Sequence, residues 1–246
     1  MIFLRSCLFM AALVLVTVPY AFVALASAPF DLRVRHRVIH VWSRIVMSLV
    51  RLLLRIDYRV LGREHLPREP SVVLCKHQSA WETIALQLVF PPQAFVLKKE
   101  LLRIPIFGWG LAQFPIISIV RNAGKGALAQ VLEQGQDLLN KGFWVVVFPE
   151  GTRVAPGKTR RFKVGGAYLA AHTGAPVVPV AHNAGDFWRR HAFLKYPGTV
   201  TVSIGPAIRT EGMSAAEINT RAQAWIEAEM RRLFPHHYHA AAAHPA

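Results

Sequence analysis

The sequence predicts an α/β fold, a single domain with a mixed sheet covered by helices, preceded by an N-terminal hydrophobic and amphipathic helical membrane anchor. Three observations carry this expectation. Beyond Asp57, short β-rich runs alternate with helical ones. Runs such as Val145-Val146-Val147-Phe148 are apolar at every position, as befits strands covered on both faces. Across residues 6–30 no side chain is charged, a stretch longer than the ~20 residues a helix needs to cross a bilayer core.

The uncharged run is the first expected helix. A cleaved signal peptide is the competing reading, because Arg5 precedes the run and Leu25-Ala26-Ser27-Ala28 offers small residues for cleavage. The next segment favours an anchor. Arg37, His40, Arg44, Ser48, Arg51 and Arg55 recur every three or four residues, a polar stripe on a helix otherwise apolar through Val41, Trp42, Ile45, Val46 and Leu49. Such a face suits the headgroup layer, arginines at lipid phosphate and the apolar side among acyl chains. A helix packed on the domain with its arginines in water is the ordinary alternative. His36 and His40 stand at i, i+4 with no acid beside them, so both are expected at the surface and not on a metal.

Strands are expected at 58–61, 72–75, 94–97, 116–120, 143–148, 177–181 and 199–204. Between 123 and 141, Leu128, Val131, Leu132, Leu138 and Leu139 recur at helical spacing, and Gly142 supplies a stop. A last helix runs over 214–233, opened by Ser214 with Glu217 three residues on. The division is therefore anchoring helices over 1–56, an α/β domain over 57–234, and a disordered Ala/His-rich tail over 235–246.

Composition narrows the function. With 246 residues, 53% hydrophobic and 17% charged at a mean hydropathy of +0.30, the chain is too apolar to be disordered. A net charge of +15 implies an anionic partner, and the apolar N-terminus selects membrane lipids or a phosphorylated substrate. No base-stacking aromatics are interleaved with the basic residues, so nucleic acid is not expected. Two distant cysteines, Cys7 and Cys75, exclude a disulfide framework and a cysteine zinc site; no metal and no cofactor is expected, and a reducing compartment suits the count.

Two stretches that follow strands carry the chemistry. In Lys76-His77-Gln78-Ser79-Ala80-Trp81-Glu82-Thr83, His77 is a candidate general base, with Glu82 holding its tautomer and stabilising the imidazolium. The bland alternative is a capping box, Ser79 as N-cap and Glu82 at N3. In Phe148-Pro149-Glu150-Gly151-Thr152-Arg153, the proline ends the strand and the glycine frees the backbone, presenting Glu150, Thr152 and Arg153 as an anion pocket with bidentate geometry for phosphate. Here the alternative is a turn with a surface salt bridge. Lys158, Arg160, Arg161 and Lys163 keep the neighbourhood basic. Cys75 closes an apolar run and reads as buried and structural, not as an acyl-enzyme nucleophile.

Taken together, His77 to Glu82 followed by Phe148 to Arg153 resemble the glycerolipid acyltransferases, specifically the 1-acyl-sn-glycerol-3-phosphate acyltransferases. Phe114-Pro115-Ile116-Ile117 leading to Arg121 is similar to that family's second motif, and Val177-Val178-Pro179-Val180 to its fourth. The likeness spans about residues 61–205. One position departs, since the family's usual first motif ends in aspartate and this chain has Glu82, longer by a methylene. The resemblance implies His77 as base; Arg153 with Glu150, Gly151 and Thr152 on the acceptor phosphate, helped by Arg121; and Pro179 shaping the acyl side. It further implies an acyl carrier protein or coenzyme A thioester as donor, a lysophospholipid acceptor, and a place on the cytoplasmic face of a bacterial inner membrane. Another lysophospholipid or a lyso-aminolipid is the near alternative acceptor. A non-catalytic protein holding anionic lipid is the alternative of a different class.

Overall fold

The computed structural model describes residues 1–120 and 125–238. Seven strands form one sheet in the order β1-β7-β6-β2-β5-β3-β4: β1 (Ile56–Leu61), β2 (Val72–Cys75), β3 (Gln93–Lys98), β4 (Ile116–Ile119), β5 (Trp144–Val147), β6 (Val177–His182) and β7 (Gly198–Ile204). Every pairing is parallel except β6 with β7, so the sheet is mixed, as expected, with β1 and β7 running against the other five. All seven sequence-predicted strands are present.

Period-two alternation sorts the strands' side chains onto two cores. Val73, Cys75, Val146 and Val178 face α1 (Ile2–Ala26), α2 (Leu32–Leu49) and α3 (Trp81–Val89). Val72, Leu74, Val145 and Val177 face α5 (Lys125–Asn140), α6 (Gly165–Thr173) and α8 (Ala215–Leu233). This is why β2, β5 and β6 read as continuous apolar runs. Two short helices, α4 (Phe107–Leu111) and α7 (Ala184–Phe187), complete the set. α5 ends in a turn where Gly142 takes φ +82°, and Ser214 caps α8 by accepting from the Glu217 N–H.

The N-terminal helices are built into this domain. Asp31 caps α2, accepting from the Arg33 and Val34 N–H groups, and a π-helical turn (Val50–Leu54) delivers the chain into β1 through Arg55 at φ 55°. α1 is long and apolar enough to cross a membrane, yet Phe9 is fully buried, edge-on to Trp188 at 5.3 Å. Four hydrogen bonds hold α1 in place: Tyr20 to the Val38 carbonyl, Trp42 Nε1 to Thr17 Oγ1, the Lys195 N–H to Ser6 Oγ, and Lys195 Nζ to Met10 Sδ. Cleavage near residues 25–28 would strip part of the core, which argues against a signal peptide. The other side of α1 stays apolar and exposed through Phe3, Leu8, Leu15 and Phe22. On α2 and the π turn, Arg37, Arg44 and Arg51 are exposed beside Val41 and Ile45.

Two expectations need correcting. His36 is buried, because its face of α2 lies on the domain, where Nε2 accepts from the Gln93 N–H and the ring meets Phe143. The start of the tail packs on the domain, with Pro235–His237 in a 3₁₀ turn and His237 Nε2 2.7 Å from Asp186 Oδ1, while the rest of the expected tail lies outside the described residues.

Replacing Phe9 with Ala should cost about 3–5 kcal/mol, the usual range for emptying a buried phenylalanine site. Thermal unfolding of the detergent-solubilised full chain measures this. A variant as stable as the wild type would show that α1 does not share the core.

Candidate active site

Parallel register brings the two chemical stretches to one place. Leu74 lies opposite Val147 and Cys75 opposite Val180, so β2, β5 and β6 end side by side and release the His77 and Glu150 loops together. The ends are tied by hydrogen bonds. The His77 N–H donates to Glu150 Oε2 at 2.8 Å, and the His77 carbonyl accepts from the Val154 N–H at 2.7 Å.

His77 Nδ1 lies 2.9 Å from Glu82 Oε1, and the same oxygen accepts from the Gln78 and Ser79 N–H groups at 2.8 and 2.7 Å. A carboxylate held by three N–H donors fixes the tautomer: Nδ1 carries the proton, and Nε2 makes no hydrogen bond among the described residues. Phe148 stacks on the imidazole, 4.1 Å between centroids and 18° between planes, which sets the ring's tilt. Burial disfavours charge on Glu82, but the His77 hydrogen bond and the Ser79 N–H outweigh it and hold the carboxyl below its ordinary value. The extra methylene of Glu82 therefore reaches the imidazole. The capping box is only half made. α3 begins after Ala80, Ser79 Oγ accepts from Trp81, and Glu82 serves the Ser79 N–H and the imidazole at once.

Beneath the loop lies a charged group that sequence reasoning missed. Lys76 is fully buried, its Nζ 3.1 Å from Glu150 Oε1 and 2.9 Å from Glu227 Oε1 on α8. The Lys76 carbonyl lies 2.7 Å from His182 Nε2, while His182 Nδ1 accepts from the Ala184 N–H; His182 is thus a neutral Nε2–H donor, and burial lowers its pKa accordingly. Glu150 is accordingly not a phosphate ligand: it has no exposed surface, and its oxygens are turned inward to Lys76 and the His77 amide. Burial pushes Glu150 up to about 7 against the pull of Lys76.

His77 opens onto a cavity of about 620 Å³. Arg153, Lys163 and Gly151 line it beside His77, and an apolar wall continues through Phe95, Leu97, Phe107 and Leu111 to Ala21 and Ala24 of α1. Gly151 turns the chain at φ +70°, open to a glycine at little cost. Among the described residues Arg153 has no ion pair; its carbonyl accepts from Arg190 Nη1 at 2.7 Å. Gly110 lets α4 lie against α1, since a Cβ there would stand 3.3 Å from Ala21. Thr152 is exposed and lies outside the cavity wall. Pro179 does not shape this cavity: it lines a shallow pocket with Pro206 and Trp225, and its carbonyl accepts from the Gly205 N–H. Arg121 lies outside the described residues. Cys75 is buried, and burial pushes its thiol well up, which suits a structural role. The described residues able to hold a metal ion are Asp186, His236 and His237, with ligand atoms within 4.8 Å of one another; they are not part of the cavity wall.

An imidazole held by a buried carboxylate at parallel strand ends thus faces a cavity that is basic at one end and apolar along its length. The acyltransferase family model covers residues 57–183. The chain belongs to the acyltransferase family. It is 46% identical over 210 residues to the 1-acyl-sn-glycerol-3-phosphate acyltransferase of Pseudomonas aeruginosa, covering 84% of this chain and 81% of that one. The mouse 1-acyl-sn-glycerol-3-phosphate acyltransferase alpha is 30% identical over 179 residues, 71% of this chain and 63% of that one. The fold matches the crystal structure of the 1-acyl-sn-glycerophosphate acyltransferase of Thermotoga maritima with a TM-score of 0.75 at 24% identity, over 94% of this chain and 95% of that one.

The buried proton of this acyltransferase gives a pH signature. Glu150 has a folded-state pKa of about 7 against an ordinary 4.5. A raised value means that the folded state binds the proton more tightly, so the stability it contributes is complete below about 4.5 and is lost as pH rises through about 7. Denaturant unfolding of wild type and Glu150→Gln at acid and mildly alkaline pH should show wild type losing stability relative to the variant as pH rises. Parallel curves would place the proton elsewhere.

Proposed function

We propose that the protein transfers a fatty acyl group from an acyl carrier protein or coenzyme A thioester to the sn-2 hydroxyl of 1-acyl-sn-glycerol-3-phosphate, forming phosphatidic acid. The observation that carries this reading is the Glu82–His77 pair, with Nδ1 engaged and Nε2 left to the cavity that Arg153 also lines. A thioester is already activated, so transfer requires a base for the hydroxyl and no enzyme nucleophile. His77 Nε2 takes the hydroxyl proton while Glu82 stabilises the imidazolium. The oxygen attacks the thioester carbonyl, and the tetrahedral adduct expels the thiolate, which recovers the proton from Nε2. Arg153 and Lys163 hold the acceptor phosphate, and the apolar wall takes acyl chain.

Of the phosphate set expected from sequence, Arg153 lines the cavity with Gly151 setting the turn before it, and Lys163 joins them there. The exposed apolar side of α1, continued by Trp109 and Phe107, and the arginines of α2 seat the protein on a membrane, the cytoplasmic face of a bacterial inner membrane suiting the thioester donors. A purely lipid-binding protein has no use for an imidazole oriented by a buried carboxylate.

The decisive experiment is mass spectrometry of lipids after incubating the purified full chain with 1-acyl-sn-glycerol-3-phosphate and each thioester. Phosphatidic acid is expected, and its absence with both donors would refute the reading. His77→Ala should lower turnover by about 10²- to 10⁴-fold, the usual range for a general base, with thermal stability retained. Arg153→Ala should raise the acceptor concentration needed for half-saturation while leaving donor dependence nearly unchanged. An unchanged acceptor requirement would return Arg153 to the protein surface.

A further inference from the structure

The reaction uses His77 and Glu82, and leaves the ion group beneath them without a part. Lys76 immediately precedes the base and is fully buried. Its Nζ bridges Glu150 Oε1 at 3.1 Å and Glu227 Oε1 at 2.9 Å, the latter reaching in from a helix 151 residues further along the chain. Taking an ammonium and two carboxylates out of water is costly, and apolar residues of the same volume would stabilise a core at least as well. What buried charges do supply is direction, because each must face its partner. With Oε1 turned to Lys76, Glu150 has Oε2 left for the His77 amide, 2.8 Å away. The Lys76 carbonyl is held in turn by His182 Nε2 at 2.7 Å. The backbone on both sides of the Lys76–His77 peptide is thus pinned by side chains from β6 and from the loop after β5, and the whole is anchored to α8.

We propose that Lys76 and Glu227 are positioning residues for the base: the ammonium, anchored by Glu227, orients Glu150 so that its second oxygen captures the His77 amide and fixes the imidazole against the substrate hydroxyl. This rests on the reading of His77 as general base. Neither residue touches substrate; Glu82 sets the ring's tautomer and charge, whereas Lys76 and Glu227 set where the backbone holds it. Displacements of about 1 Å at a reacting group suffice for rate losses of about 100-fold, so a modest shift of this loop is visible in turnover.

The test uses the full-length enzyme in detergent micelles, with 1-acyl-sn-glycerol-3-phosphate and a thioester that the wild type turns over. Lys76→Met and Glu227→Ala should each lower kcat by about 10- to 100-fold while KM for either substrate moves less than about twofold. Glu227→Gln keeps an oxygen for Nζ and should lose less than Glu227→Ala. In a His77→Ala background, adding Lys76→Met should cost nothing further, because there is no imidazole left to position. Circular dichroism and thermal unfolding establish which variants are folded. If Lys76→Met does not fold, Glu227→Ala decides, since it leaves the Lys76–Glu150 pair in place. Unchanged kcat in the folded variants, a rise confined to KM, or an equal loss with and without His77 would each overturn the proposal. Wild-type turnover by His77→Ala alone would overturn the underlying assignment of the base, a separate failure seen in a separate variant.

Discussion

Three N–H groups converge on a single oxygen of a carboxylate that has no exposed surface. A lone buried carboxylate is unstable as an anion, and the cheapest escape is to take up a proton. Glu82 is spared this because the loop after β2 curls over it, spending two backbone donors and one imidazole donor on Oε1. The arrangement is reciprocal. The anion gives the loop its shape, and the loop gives the anion its charge, so local conformation and the charge of the site become one constraint. A helix cap and a catalytic acid look alike in sequence for this reason: both are carboxylates turned back on backbone N–H groups at a helix start.

The same logic continues under the loop. Glu82 and Glu150 both hold His77, one through the ring and one through the amide. Only the first stays clearly anionic, because three N–H donors converge on one of its oxygens and outweigh the cost of burial. For Glu150 the cost of burial outweighs the pull of Lys76 and the His77 amide, with Glu227 nearby adding to it, so a proton is held near neutrality. Parallel strands whose C-terminal ends coincide make this crowding possible: β2, β5 and β6 each deliver one of His77, Glu150 and His182 within a residue or three of the last ladder pair.

What was legible in the sequence follows from locality. The strands are visible because burial on both faces leaves no polar position to blur them, as in Val72-Val73-Leu74-Cys75. His77 and Glu82 are visible because five residues of chain connect them. Lys76 is invisible as a buried cation, since lysine is ordinarily a surface residue and its partners lie in the Glu150 loop and on α8. Glu150 is hard to read for a related reason: a carboxylate in a turn among arginines reads as exposed until the sheet order shows what lies below it. Pro179 was misassigned through the sheet's two-sidedness, since its strand is central but its side chain faces away from the cavity. His36 was placed at the surface because a helix pattern shows which side is polar without showing which neighbour covers it.

The N-terminal helices bring the constraint back to the membrane. An anchor that merely tethered the domain could be apolar on every side and make no specific contact. α1 instead divides its circumference, with Phe9 in the core and Phe22 exposed, while Thr17, Tyr20, Ala21 and Ala24 form part of the wall that His77 also lines. Small residues on the cavity side let Gly110 of α4 come close, so the wall is closed by backbone contact and not by bulky side chains. One side of α1 is thus apolar and exposed while the other lines the cavity, so apolar surface continues from outside to inside with little polar interruption. The apolar N-terminus is then a shared wall, and the cavity is basic at one end, at Arg153 and Lys163, and apolar along the rest.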